Sequence, residues 1–373
     1  MIEAASRMAL AAERELEALV AVSSPSGDVN GAEECVALAT AFLPTDAEAE
    51  RVDCSTPDHA RDLVGRLRGS GARRVLLLGH LDTVVSHAAH RPLERDGDRL
   101  TGSGAVDMKG GVALSLALMR ELAERPELYA EAVVLLVNDE EWRTSGFAHA
   151  ERFADFDACL CFEAGERTRA GEEAVIVKRK AAATLRVEAH GRSSHSGSAP
   201  ERGRSALLAL AAAAQTVARC SDPDGPDRLT AVPTIMRSGD AFNVVPAAGE
   251  LLCDLRADRL EAFDPVLAAM PGEHDEVRLD ARVVRAWPGM DSRGATEGVI
   301  TRAAELLGTP IVSTERGGAS DASHMAAGGI ALTIDGLGPR GGGAHTPHEW
   351  VSADSLRTRA AVALAVTQAV LAR

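Results

Sequence analysis

Two histidines and a set of carboxylates stand at places in this chain where a fold can present them together. The stretch Val75-Leu76-Leu77-Leu78-Gly79-His80-Leu81-Asp82 ends an apolar run on glycine, then sets an imidazole and a carboxylate one residue apart. In extended chain, positions two apart project to the same side. His80 and Asp82 therefore converge just past a strand's carboxyl end, where open α/β sheets hold their sites. A carboxylate behind an imidazole is a common way to fix a metal-bound histidine. Taken alone, a histidine at a strand end is more often structural than functional.

Four further places share this arrangement. Asp107 lies in Thr101-Gly102-Ser103-Gly104-Ala105-Val106-Asp107-Met108-Lys109-Gly110-Gly111, a glycine-rich loop that opens a helix. Glu140 and Glu141 follow an apolar strand at 133–137 through Asn138-Asp139, and Glu163 ends another at 158–162. His345 lies in Gly341-Gly342-Gly343-Ala344-His345-Thr346-Pro347, soon after a third at 330–334. Each has a plain alternative: Asp107 as a helix N-cap, Glu140 and Glu141 as a solvated loop, His345 as a turn residue. Together they can meet at one edge of one sheet. Two imidazoles and three carboxylates, one of them shared, suit two divalent cations, and the N/O donor set favours zinc.

The elements that would carry these residues follow from the hydrophobic pattern. An Ala/Glu-rich helix runs to about Val20, and a Ser/Pro/Gly/Asn turn at 23–31 leads to a second helix ending near Phe42. Strands are predicted at 63–67, 75–78, 133–137 and 158–162. The period of Val112, Leu116, Met119 and Leu122 predicts a helix over 109–124. Strand and helix in alternation mean an α/β fold with a mainly parallel sheet. Beyond residue 175 the texture changes: several strands alternate as half-exposed antiparallel strands do, at 175–178, 184–189, 230–236, 250–255 and 277–284. Helices are predicted at 204–219 and near 261–270. After Pro288-Gly289 the α/β rhythm returns, with a helix at 295–307 and a final one from about Ser352 to Leu371. The expected organisation is a discontinuous catalytic domain, 1–177 and 289–373, around an inserted α+β domain, 178–288.

The 373 residues exceed one ordinary core. With 46% apolar and 25% charged residues the chain has the composition of a soluble globular protein. A formal charge of −15 argues against nucleic-acid and anionic-membrane partners. No apolar run approaches a membrane span, and Glu13, Glu15 and Glu17 interrupt any signal-peptide core. Six scattered cysteines, with only Cys159 and Cys161 close-spaced, read as free thiols of a cytoplasmic protein.

His80-Leu-Asp82, Gly-x-x-Asp107-Met-Lys-Gly-Gly, Asp139-Glu140-Glu141, Phe162-Glu163 and Ala-His345-Thr-Pro, in that order, resemble the dizinc exopeptidases of the M20 metallopeptidase family. Its members include glutamate carboxypeptidases (the nearest resemblance), aminoacylases, acetylornithine deacetylases and succinyl-diaminopimelate desuccinylases. The resemblance implies a zinc-exopeptidase fold with an inserted lid domain that dimerises. It implies that Asp107 bridges two Zn2+, with Co2+ or Mn2+ as substitutes. His80 and Glu163 would complete one site, and Glu141 and His345 the other. Asp82 would hold the His80 ring, and Glu140 would be the general base. A cis peptide is implied after Asp107.

In the inserted block, His195 in Gly191-Arg-Ser-Ser-His195-Ser-Gly197 would reach the partner subunit's site and stabilise an oxyanion; Asn243 would assist, and Arg256 would grip the substrate's carboxylate. The chemistry so implied is hydrolysis of an amide bond beside a free carboxylate, in a peptide or an N-acyl amino acid. Two cations lower the pKa of a bridging water and polarise the carbonyl, while a base beside a ligand takes the water's proton. Glutamate rather than aspartate at 163 points, within the resemblance, away from peptidases that need a free N-terminus. The carboxypeptidase and deacylase readings both stay open, as does a non-catalytic sensor or scaffold.

His87, His90, His149 and His348 are read as bystanders, and His324 and Arg316 as candidates for lining a pocket. An internal pair with a lid carboxylate is the competing reading of Arg256. Trp287 could line an aromatic wall. Gly336-Leu-Gly338-Pro-Arg-Gly341 imitates a dinucleotide fingerprint but runs into more glycine, not a helix, and is rejected.

Overall fold

The computed structural model describes residues 1–144 and 146–373. The chain divides into two compact units: Met1–Lys178 with Asp291–Glu315 and Ser320–Arg373, and Arg179–Met290 with Arg316–Ala319.

In the first unit, α1 (Ile2–Ala21) and α2 (Val29–Ala41) precede β1 (Glu48–Val52), β2 (Asp62–Arg68) and β3 (Arg74–His80). A hairpin of β4 (Glu94–Asp96) and β5 (Arg99–Thr101) leads to α3 (Gly110–Ala123), β6 (Glu131–Val137) and β7 (Ala158–Cys161). The main sheet has the order β1-β2-β6-β3-β7, closed by the short strand Thr333–Ile334. β3 runs parallel to β6 and β7, and Thr333–Ile334 parallel to β7, while β1 and β2 add an antiparallel edge. This is the α/β class expected, mainly parallel.

Val75, Leu76, Leu77 and Leu78 and all of β6 are buried, as befits strands covered on both faces. Each such large side chain contributes about 1.5–3 kcal/mol relative to exposure. Because β3, β6 and β7 are parallel, their carboxyl ends share one edge. His80 is the last residue of β3. Glu140 and Glu141 follow β6 closely, and Glu163 follows β7.

Some elements differ from expectation. The strand expected over 330–334 shrinks to Thr333–Ile334, because the Ile330 amide still bonds back to Met325 at the end of the helix Asp321–Ala327. The helix expected near 261–270 is a 3-10 turn, Leu260–Phe263, followed by the short helix Asp264–Ala268. β1, β4, β5 and the strand Ile311–Arg316 carry too much charge to be seen as apolar runs.

The second unit is a five-stranded antiparallel sheet in the order Thr230–Ser238, Ala248–Ala257, Ala181–His190, Val277–Trp287, Glu273–His274. Leu185, Val187, Ala189, Leu251, Cys253 and Leu255 point into a core shared with α4 (Ala206–Arg219). Alternate residues carry ion pairs on the other face, such as Arg186 with Glu250 and Arg282 with Glu188. Period-two alternation thus marks a sheet covered on one side. Trp287, at the end of the strand Val277–Trp287, is buried. All six cysteines are free thiols. Among the described residues, no helix is long and apolar enough to cross a membrane.

Candidate metal centre

His80 is buried at the end of β3, and its Nδ1 lies 3.0 Å from the Asp82 carbonyl oxygen and 3.4 Å from the Asp82 carboxylate. A carbonyl only accepts, so Nδ1 carries a proton and Nε2 is left to face the site. The Asp82 carboxylate has other partners as well: it accepts the amides of Glu140 and Glu141, each at 3.1 Å, and the Ser26 hydroxyl at 3.3 Å. One short segment therefore orients an imidazole with its main chain and the acidic loop after β6 with its side chain.

Asp107 is held by a tightly built loop. Gly104 adopts φ +74°, a conformation that suits glycine. A Cβ on Gly111 would lie 1.8 Å from the Phe162 carbonyl oxygen, so only glycine lets α3 close on the strand end that carries Glu163. The buried Lys109 ammonium donates to the carbonyls of Leu19 (3.0 Å) and Val22 (2.8 Å), tying the loop to the end of α1. The Asp107–Met108 peptide is cis. Asp107 does not cap α3, whose N-cap is Lys109 without a side-chain bond.

His345 sits between the short strands Gly341–Gly342 and Trp350–Ser352, and the latter pairs with β5, the strand that leads into the Asp107 loop. That pairing brings two segments more than two hundred residues apart to the same edge. His345 Nε2 lies 3.0 Å from Glu141 Oε1 and 3.2 Å from Asp107 Oδ2. His80 Nε2 lies 3.1 Å from Asp107 Oδ1 and 3.8 Å from Glu163 Oε1.

Two groups of ligand atoms result, His80–Asp107–Glu163 and Asp107–Glu141–His345, each with its atoms within 4.8 Å of one another and both using Asp107; His80, Glu140 and Glu141 form a third, overlapping group. Donors on a tetrahedral zinc with bonds of ~2.0–2.1 Å stand roughly 3.3 Å apart. The separations here lie close to that value, and nitrogen with carboxylate oxygen is a donor set zinc accepts, so the residues fit the ion.

The electrostatics agree with a site built for cations. Burial disfavours the charged His80 ring, but hydrogen bonds with Asp107 and Asp82 hold its pKa well above the ordinary value. Hydrogen bonds with Asp107 and then Glu141 raise His345 to about 10. Burial opposes ionisation of Asp107, yet the two imidazoles keep its carboxyl below the usual range. Glu140 goes the other way. Burial first, and then the charges of Asp321, Glu163 and Glu141, push its carboxyl well up against the pull of His80.

Sequence reasoning missed the layer behind these residues. Asp139 accepts the Thr56 amide (2.8 Å) and hydroxyl (2.7 Å) and pairs with Arg143 at 2.6 Å; Arg143 also bonds Asp321, and all three charged groups are buried. The available signal was Arg143 four residues after Asp139, a helical-turn ion pair hidden behind the Glu140-Glu141 motif. Of the bystanders, His149 bonds Asp62 at 2.8 Å, His87 bonds Ser23 at 2.9 Å, and His348 is exposed. The His324 ring packs 5.6 Å from that of Phe147.

In the second unit, Ser194–His195 pairs with Val244–Val245, which sets His195 beside the Asn243 turn; the Ser196 amide donates to the Asn243 carbonyl at 3.0 Å. His195 Nδ1 accepts the amides of Gly197 and Ser198, each at 3.1 Å, so the ring proton sits on Nε2. Arg256 Nε pairs with both carboxylate oxygens of Asp254, at 3.0 and 3.1 Å, which is the internal pair weighed against a substrate role.

Comparison with known proteins gives a consistent result. The family description "Peptidase family M20/M25/M40" matches residues 76–369. Carboxypeptidase G2 of Pseudomonas sp. (strain RS-16) is 29% identical over 357 residues, covering 89% of this chain and 82% of that protein. Succinyl-diaminopimelate desuccinylase of Xanthomonas campestris pv. campestris (strain 8004) is 30% identical, covering 72% and 76%. A tripeptidase from Staphylococcus aureus superposes with a TM-score of 0.78 at 19% identity, covering 98% of this chain and 99% of that one; it speaks for the fold alone.

Proposed function

The chain belongs to peptidase family M20/M25/M40 and is an enzyme that hydrolyses amide bonds; from that premise we propose that it is a dizinc hydrolase cleaving an amide adjoining a free carboxylate, in the manner of a glutamate carboxypeptidase. One observation carries the proposal: two triads of ligand atoms that share the two oxygens of Asp107. In this reading His80, Asp107 and Glu163 hold one ion, and Asp107, Glu141 and His345 the other. Zinc bound there supplies Lewis acidity toward the carbonyl and eases ionisation of water.

The remaining roles belong to the chain's own side chains. Glu140 stands among the ligands without belonging to either triad, and its raised carboxyl pKa suits a group that takes a proton from water and hands it to the departing amine nitrogen. His195, with its proton on Nε2, is a hydrogen-bond donor to a developing oxyanion. Asn243 lies next to it on the same ribbon, and Arg256 supplies a guanidinium for a carboxylate.

A homodimer through the inserted unit is part of the proposal. The edge strand Thr230–Ser238 leaves Val232 (49%), Ile235 (39%) and Met236 (38%) exposed, and α4 leaves Leu207 (42%) and Leu208 (65%). An unpaired strand edge with apolar side chains is a surface proteins normally cover. The similarity to a desuccinylase favours a second reading, removal of an acyl group from an amino acid.

The test is elemental analysis of the purified protein together with turnover on N-acyl-glutamates and on peptides ending in glutamate. About two zinc ions per chain and hydrolysis of either class are expected, with Glu140→Gln keeping its metal and losing ~10²–10⁴ in kcat. Metal-free protein with full turnover, or a Glu140→Gln variant as fast as the parent, would overturn the mechanism. The preferred substrate class separates carboxypeptidase from deacylase.

A further inference from the structure

Glu349 is a buried carboxylate, 2% exposed, that lies four residues beyond His345 and takes no part in either triad. Its Oε2 accepts the Gly104 amide at 2.8 Å, and its Oε1 accepts those of Val106 (2.8 Å) and Asp107 (2.9 Å). Its own carbonyl accepts the Gly102 amide at 3.0 Å, and its amide donates to Thr346 in the His345 turn at 3.3 Å. Every one of these bonds joins the hairpin that carries His345 to the loop that carries Asp107, or braces one of the two. A buried carboxylate is costly unless its lone pairs are met. Here they are met by backbone N–H groups that a positive-φ turn at Gly104 aims inward, an anion-binding nest occupied by the protein's own side chain.

We propose that Glu349 is a positioning residue that sets the Asp107 carboxylate against His345, so that both ions depend on it although it binds neither. The inference rests on the reading of Asp107 as the shared ligand. Since Asp107 faces His80 through one oxygen and His345 through the other, a shift of its backbone misaligns both sites at once. Glu349→Gln is isosteric, but its NH2 group faces an amide N–H and must forfeit at least one of the three bonds.

The full chain loaded with cobalt(II) tests this, with visible absorption reporting the ions and a competing chelator setting the affinity scale. Glu349→Gln should weaken cobalt binding ~10–100-fold, the usual effect of losing a group behind a ligand, and should release both ions over one range of chelator. Glu131→Gln is the control. It removes another buried carboxylate, paired with Arg74 at 2.9 Å at the opposite end of β6, and should lower Tm without moving the cobalt affinity.

If Glu349→Gln does not fold, Glu349→Asp keeps the charge, withdraws it by one methylene, and should show the same weakening. A folded Glu349 variant with the parent's cobalt affinity and spectrum overturns the proposal. A parent chain that fails to take up two cobalt ions removes the dimetal reading and this inference together, and the two failures are thereby told apart.

Discussion

The carboxylate of Asp82 accepts the backbone N–H of Glu140 at 3.1 Å, and with its other oxygen that of Glu141 at the same distance. The proposed base and a proposed ligand are thus aimed by one side chain, on the segment whose main chain orients His80. Asp82→Asn can serve only one of those amides through its oxygen and sets an NH2 against the other. We expect kcat to fall ~10–100-fold with KM little changed and the metal retained. Steady-state kinetics on metal-saturated enzyme decides it; an unchanged kcat would mean that the loop after β6 holds Glu140 unaided.

The exposed edge strand and α4 of the inserted unit predict self-association. Sedimentation should report two chains, and Leu208→Glu combined with Ile235→Glu should give a monomer, since each charge would be desolvated at the contact. His195 acting across subunits predicts more. Inactive Glu140→Gln and inactive His195→Ala chains, mixed under exchange, should regain part of the activity because one hybrid site holds both groups. Exchange without recovery would assign His195 to its own chain's site.

What was legible in the sequence was the part written in local pattern. Val75 to Leu78 and Val133 to Val137 are unbroken apolar runs, so their strands and parallel pairing could be inferred, and with them the shared edge that gathers His80, Glu140, Glu141 and Glu163. His345 reaches that edge by a route no local pattern encodes, the pairing of Trp350–Ser352 with the short strand β5. Glu349 was missed for the same reason. Before the strand Trp350–Ser352 it reads as one more surface carboxylate, and only the distant amides of Gly104, Val106 and Asp107 give it a use.

A buried ion cluster makes the stability of the first unit depend on pH. Glu173, with its side chain 7% exposed, bonds the fully buried Arg359 at 2.9 Å and Arg340 at 2.6 Å. Burial opposes its ionisation, but Arg359 and then Arg340 prevail and hold its carboxyl below the usual range. A depressed folded-state pKa means stability fully present above the unfolded value of ~4.3 and lost as pH falls through the folded one. Glu173→Gln takes the carboxylate charge from Arg359, which keeps its hydrogen bonds to the Ala174, Gly336 and Gly338 carbonyls, and should cost ~3–5 kcal/mol at pH 7. Denaturant unfolding should find the gap between parent and variant narrowing below about pH 4; a gap that stays constant into acid would mean the carboxylate charge contributes nothing.

The last prediction concerns Arg256. Its Nε is taken by Asp254, two residues away on the same strand, with the two side chains 34% and 42% exposed. A pair so open to solvent is worth ~0–1 kcal/mol, so it orients the guanidinium at little cost and leaves the two terminal nitrogens for a second anion. If that anion is the substrate's carboxylate, removing the arginine leaves it without its partner, and breaking such a pair from one side costs ~2–5 kcal/mol. Arg256→Ala should lower kcat/KM on an N-acyl-glutamate accordingly, and far less on the corresponding amide, already a poor substrate. Its Tm should barely move, because the pair with Asp254 is weak. Arg256→Lys should restore only part of the loss, since an ammonium cannot make the planar fork. Asp254→Asn separates orientation from charge: the guanidinium remains, so the acid-over-amide preference should survive with a modest rise in KM. Equal losses on acid and amide in Arg256→Ala, together with a lowered Tm, would make the pair with Asp254 the residue's whole purpose.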